Sequence, residues 1–141
     1  MKTERDKHSA ACFTLGYGLE QEGRTDEAIK AFEASIEYID TEMRSTSAFT
    51  RLYSLYKEKG DKENMRRVLE EGIRYAIYFN EKAASGLIKK YPEHKEGILE
   101  ALETNKPYPF DWYEKGINPL FRPHDVMLMI DLLDDINDLK L

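Results

Sequence analysis

The chain has 141 residues, 41% of them hydrophobic and 34% charged, enough for one domain whose core needs neither metal nor disulfide. Its formal charge of −6 argues against nucleic acid or an anionic membrane as the main ligand, because both call for a basic surface that displaces counterions. The single cysteine, Cys12, excludes an internal disulfide and fits a reducing compartment.

Met1 is followed by Lys-Thr-Glu-Arg-Asp with no apolar segment, and nothing approaches the ~18 consecutive apolar residues of a membrane span. The expectation is a cytoplasmic protein with no membrane partner. The charge is uneven: residues 125–141 hold Asp125, Asp131, Asp134, Asp135 and Asp138 against Lys140 alone, a net of −4.

Thr3-Glu4-Arg5-Asp6 can start a helix, with the threonine hydroxyl taking a free backbone N–H and the acids favouring the positive helix end. This first helix is predicted to run to about Glu22, where Gly23 closes it in the left-handed conformation. Thr25 is the expected cap of a second helix, with Asp26 and Glu27 in its first turn. Ala28, Ala31 or Phe32, Ser35 and Ile36 then recur at helical spacing and form one buried stripe. Gly16 and Ala28 are small where the two backbones should come closest, which makes the pair a helical hairpin.

Phe49, Leu52, Tyr53, Tyr56, Gly60, Asp61, Leu69 and Ile73 repeat that arrangement. Gly60 follows Gly23 by 37 residues. Tyr53 takes the place of Gly16, Met65 that of Ala28 and Gly72 that of Ser35. A third hairpin is drawn from Asn80, as cap, to Glu103, broken at Tyr91-Pro92, with Ala84, Leu87, Ile88, Ile98, Leu99, Ala101 and Leu102 as its apolar residues. Residues 105–113 hold two prolines and four aromatics, so they are expected to be extended or turned and to pack across the helices or a partner. From His124 or Asp125 a last helix sets Val126, Met129, Ile130, Leu133 and Ile136 on one side and Asp131, Asp134, Asp135 and Asp138 on the other.

The hairpin of residues 9–40, with its Leu15-Gly16, Leu19, Gly23, Ala28, Phe32 and Ser35, resembles a tetratricopeptide (TPR) repeat, whose period is ~34 residues. The resemblance continues over 46–79 and thins over 80–104. It implies an all-α fold, a right-handed superhelix of antiparallel helix pairs, with hairpins at about 3–40, 42–79 and 80–104. Residues 105–141 would then pack on the array through the C-terminal amphipathic helix.

The resemblance also implies a protein or peptide partner, held on the concave face by the first helices of successive repeats. Carried over by helical phase, that face is Ala10, Phe13, Tyr17, Glu20 and Gln21 on the first helix, and Ser47, Thr50, Ser54, Lys57 and Glu58 on the third. Phe13 and Tyr17 at its centre are suited to anchoring an apolar side chain. Repeats that grip a chaperone's C-terminal carboxylate carry asparagine where Tyr17 and Ser54 stand, and here only Lys57 is basic. A second candidate interface gathers Phe110, Trp112, Tyr113, Phe121, Val126, Met129, Ile130 and Leu133. Through it the C-terminal segment would cap the array, occupy the groove in cis, or pair two chains into a homodimer.

Catalysis and cofactors find no support in the residues. His8, His94 and His124 lie in different elements with no metal-ligand spacing. Gly16-Tyr17-Gly18 follows no strand, so it is not a phosphate loop. The four aspartates of the last helix have helical spacing, that of a solvated face rather than a calcium loop. The expectation is a non-catalytic scaffold without metal or cofactor.

Overall fold

The computed structural model describes residues 2–43, 45–108, 116 and 120–138. Among them are six α-helices and no strand: α1 (Glu4–Gln21), α2 (Thr25–Glu37), α3 (Ser47–Glu58), α4 (Lys62–Lys90), α5 (Lys95–Thr104) and α6 (Pro123–Asp135).

Thr3 caps α1 as expected and forms a capping box with Asp6, each side chain bonding the other's backbone N–H. Gly23 closes the hairpin with φ +76°. The helix after it starts at Thr25 itself. Arg24 is the cap residue and makes no side-chain cap bond, so the threonine moves into the first turn beside Asp26 and Glu27. The two helices meet at Gly16, where an added Cβ would lie 2.9 Å from the ring of fully buried Phe32. At the far end, Ser9 Oγ donates to the Ser35 carbonyl at 2.6 Å and Ser35 Oγ returns a bond to the Ser9 carbonyl at 2.8 Å. Ser35 is thus a buried polar residue with its needs met.

Helix α3 buries Ala48, Phe49, Leu52, Tyr53, Leu55 and Tyr56. Gly60, at φ +71°, reverses the chain, and Asp61 caps α4 by accepting from Asn64 N at 3.1 Å. The predicted break at Asn80 does not occur. Helix α4 continues for 29 residues to Lys90, because neither proline nor a left-handed residue interrupts it before Tyr91-Pro92. The Asn80 amide has other work: its Oδ1 accepts from Arg122 N at 2.7 Å and its Nδ2 donates to Arg122 O at 3.2 Å. The third hairpin therefore keeps its two arms, the second half of α4 and helix α5, joined by a 3-10 turn at Pro92–His94, but has no start of its own. Ala84, Leu87 and Ile98 form its small core. Tyr108 folds back over Gly97, where a Cβ would stand 2.2 Å from the ring, and its hydroxyl meets His94 Nδ1 at 2.7 Å.

Helix α6 lies antiparallel to α4: Arg122 is opposite Asn80, Met129 opposite Gly72, and Asn137 bonds Arg66 at 2.8 Å. It lies parallel to α3, since Thr46 at the start of that helix meets Asp125, while Asp135 adds to the upward pKa shift that burial imposes on Tyr53 near its end. This is the place a first helix of a third repeat would take. The apolar stripe reads accordingly: Val126, Met129 and Ile136 are buried, Ile130 and Leu133 pack on the main core, and the four aspartates face out. Gly72 makes room for Met129 and Phe49, whose atoms would stand 2.7 and 2.9 Å from an added Cβ. Gly72→Leu should lower stability by about 1–3 kcal/mol through overpacking. Urea denaturation of the variant checks this, and an unchanged midpoint would contradict the docking of α6.

Candidate functional site

Helices pack in the order α1, α2, α3, α4 and α6, with α5 on the far half of α4, so that α1, α3 and α6 alternate with α2 and α4. A pocket of about 310 Å³ opens between α1 and α3 and is lined by Ala10, Phe13 and Thr14 of the one and by Ala48 and Phe49 of the other. Ile39 and Met43, from the segment that joins the hairpins, complete its apolar wall, with Lys2, Glu42 and Ser45 also lining it. Phe13 is half-buried, its ring centroid 5.5 Å from that of Phe32, so the anchor residue is itself held by the core.

Asp6 fixes the joining segment. Its carboxylate accepts from the backbone N–H of Thr3 at 3.1 Å, Asp40 at 3.2 Å and Thr41 at 3.0 Å, and from the hydroxyls of Thr3 and Thr41. Burial raises the pKa of such a group. The bonds from the Thr41 hydroxyl and the backbones of Thr3, Thr41 and Glu42 outweigh that and hold it far below the ordinary carboxylate range.

Farther along this face, Arg51 bridges the two helices. Its Nη1 donates to Glu20 Oε1 at 3.0 Å and its guanidinium lies 4.6 Å from the centroid of the Tyr17 ring, which remains 44% exposed. Ser54 and Lys57 are exposed on α3, the Lys57 ammonium 6.0 Å from the Tyr53 ring. Gln21 is exposed at the end of α1, Ser47 is half-buried, and the Thr50 hydroxyl turns back to the Ser47 carbonyl at 3.2 Å. The structure thus divides the predicted concave residues. Ala10 and Phe13 sit in the pocket with Thr14, Ala48 and Phe49, which sequence reasoning missed, while Tyr17 and Glu20 belong to the Arg51 bridge. Arg51 was also missed, although it stands four residues after Ser47 and three before Ser54, on the same face of α3.

Of the second candidate interface, Val126 and Met129 are spent on the main core, with Ile130 and Leu133 packed beside them, and Phe121 packs on the small core of the third hairpin. Phe110, Trp112 and Tyr113 lie outside the described residues. Cys12 is partly buried on α1, its Sγ 3.6 Å from His8 Nε2.

A larger pocket, about 660 Å³, lies between α2 and α4. It owes its shape to the length of α4, which overshoots α2 and carries Tyr75, Tyr78 and Phe79 past its end. One end is closed by Arg67, which binds both Glu33 oxygens at 2.9 and 2.7 Å and Glu71 at 3.3 Å. The signal for this pocket was in the sequence, an aromatic group at helical spacing opposite the acidic end of α2.

No helix among the described residues is long and apolar enough to cross a membrane. Layered antiparallel hairpins, the first two closed at left-handed Gly23 and Gly60, define a helical-repeat architecture. Residues 9–41, most of the first hairpin and the residues just after it, match the model of the tetratricopeptide repeat family and are similar to one such repeat. Repeats of this family are in general non-catalytic mediators of protein–protein contact. No curated protein and no solved structure matches the chain.

Proposed function

We propose that the chain is a protein-interaction scaffold that receives a peptide segment of a partner across α1 and α3, without catalysing a reaction. The observation that carries this reading is the largely apolar pocket over Phe13, Ala48 and Phe49, which has room for a large aliphatic or aromatic side chain. The pocket is preformed, because Asp6 and the core hold its walls, so binding orders little of the scaffold itself. Beyond it, Tyr17 and Arg51 offer an amphipathic shelf for the rest of the segment. A single cysteine fits a cytoplasmic setting.

The reading in which the C-terminal segment fills this groove in cis, or pairs two chains, draws less support. Helix α6 is seated on α4, and none of its residues lines the α1–α3 pocket.

Panning a random peptide library on the immobilised chain tests the proposal. Selected peptides should share one large apolar residue, and Thr14→Arg, which places a charged side chain at the pocket wall, should weaken their binding about tenfold or more without changing the melting temperature. Peptides that bind the variant and the parent equally would contradict it.

A further inference from the structure

The pocket between α2 and α4 lies on the second-helix side, away from the proposed groove, and its chemistry is different. Its floor is aromatic. Tyr75 and Phe79 stack with ring planes 11° apart, and Tyr78 meets Phe79 edge-on with centroids 5.0 Å apart while remaining 58% exposed. Four carboxylates, Glu33, Glu37, Asp40 and Glu71, line it against two guanidinium groups, Arg67 and Arg74. Arg67 is consumed by Glu33 and Glu71. Asp40 accepts only a neutral hydroxyl, that of Thr3 at 2.7 Å, and Glu37 gives its backbone carbonyl, not its carboxylate, to Arg5 at 2.8 Å. The open end of the pocket therefore holds two carboxylates without an ion-pair partner among the described residues, beside an exposed tyrosine face. Of the two guanidinium groups that line the pocket, Arg74 is the one exposed at the rim, while Arg5 and Lys82 lie near this end on the backbone carbonyls of Glu37 and Thr41.

We propose that this pocket is a second interaction surface that takes a basic side chain, arginine or lysine, from a peptide segment of a protein partner. The cation lies over the Tyr78 ring, where the negative face of the π system attracts it. Glu37 and Asp40 supply the opposite charge, and Ile36, Tyr75 and Phe79 cover the aliphatic stem, as long cationic side chains prefer. The pocket exists because α4 runs on past the end of α2 at Glu37 and carries Tyr75, Tyr78 and Phe79 with it. A chain of ordinary repeat length would end α4 near the end of α2 and leave no aromatic floor.

The test uses the full chain labelled with ¹⁵N and a blocked pentapeptide, acetyl-Ala-Leu-Arg-Leu-Ala-amide, with glutamine replacing arginine in the control. At low ionic strength the arginine peptide should shift amide signals at the end of α2 and over residues 74–79 and bind about fivefold more tightly than the control. Glu37→Gln with Asp40→Asn should remove that preference, Tyr78→Ala should weaken binding, and Arg74→Gln should strengthen it. All four residues are at the surface, so the melting temperature reports whether a variant stays folded. Equal affinity for the two peptides, no saturable binding, or shifts confined to α1 and α3 would each overturn the proposal. The last result would leave the groove on the other side intact, so the two surfaces stand or fall separately.

Discussion

Phe32→Ala should lower the stability of the chain by about 3–5 kcal/mol, the cost of emptying a fully buried aromatic site. Phe32 has no exposed surface, lies against Phe13, and fills the space that Gly16 leaves open on α1. Its loss would leave a cavity at the crossing of α1 and α2, and two backbones held apart by their remaining side chains cannot close it. The same ring supports Phe13 in the wall of the groove, so peptide binding should fall with stability. Denaturant unfolding measures the first effect. A loss below about 1 kcal/mol would mean that the α1–α2 contact is not the core described.

The second large effect concerns Asp6. In Asp6→Ala the N–H groups of Thr3, Asp40 and Thr41 lose their acceptor in a partly buried place, and a loss of about 3 kcal/mol is expected. The charge also sets a pH dependence. The carboxylate is held below its ordinary value of 3.8 in the folded chain. Its contribution is therefore complete above that value and is lost as the pH falls below it. Melting temperatures of the parent should drop on acidification from about pH 4 downward, and Asp6→Asn should start lower and change less over the same range. Asp61, lowered by its bonds to Asn64, preserves a residual slope in the variant. Parallel curves for parent and Asp6→Asn would show that the carboxylate does not anchor the joining segment.

Both effects act where local sequence signals agreed with the fold. Gly16, Gly23, Ala28 and Phe32 combine helical period, turn chemistry and close approach within a single hairpin, and the structure places each in its expected part. The apolar stripe of α6 was equally plain from its spacing. What the spacing did not contain was the partner of that stripe: that α6 runs beside α3 as a further first helix depends on Gly72, Met129, Thr46 and Asp125, residues far apart in sequence. The continuation of α4 through Asn80 was hidden for a related reason. Asparagine is a good helix cap, and only the tertiary bonds to Arg122 show that its amide is used elsewhere. Of the groove, Ala10 and Phe13 were legible from helical phase. Ile39 and Met43 were not, because they lie in the irregular segment whose path is set by Asp6. The pocket between α2 and α4 was missed because it depends on how far Tyr75, Tyr78 and Phe79 extend beyond the end of α2, which no local spacing shows.

If α1 and α3 form the binding face, a bound peptide must perturb them first. Amide shift mapping of the ¹⁵N-labelled chain with a peptide obtained by panning tests it in one titration. The account predicts changes at Ala10, Thr14, Ser45 and Ala48, with smaller ones toward Tyr17 and Arg51. Changes concentrated on α5, or on α2 and α4, with α1 and α3 silent, would contradict it.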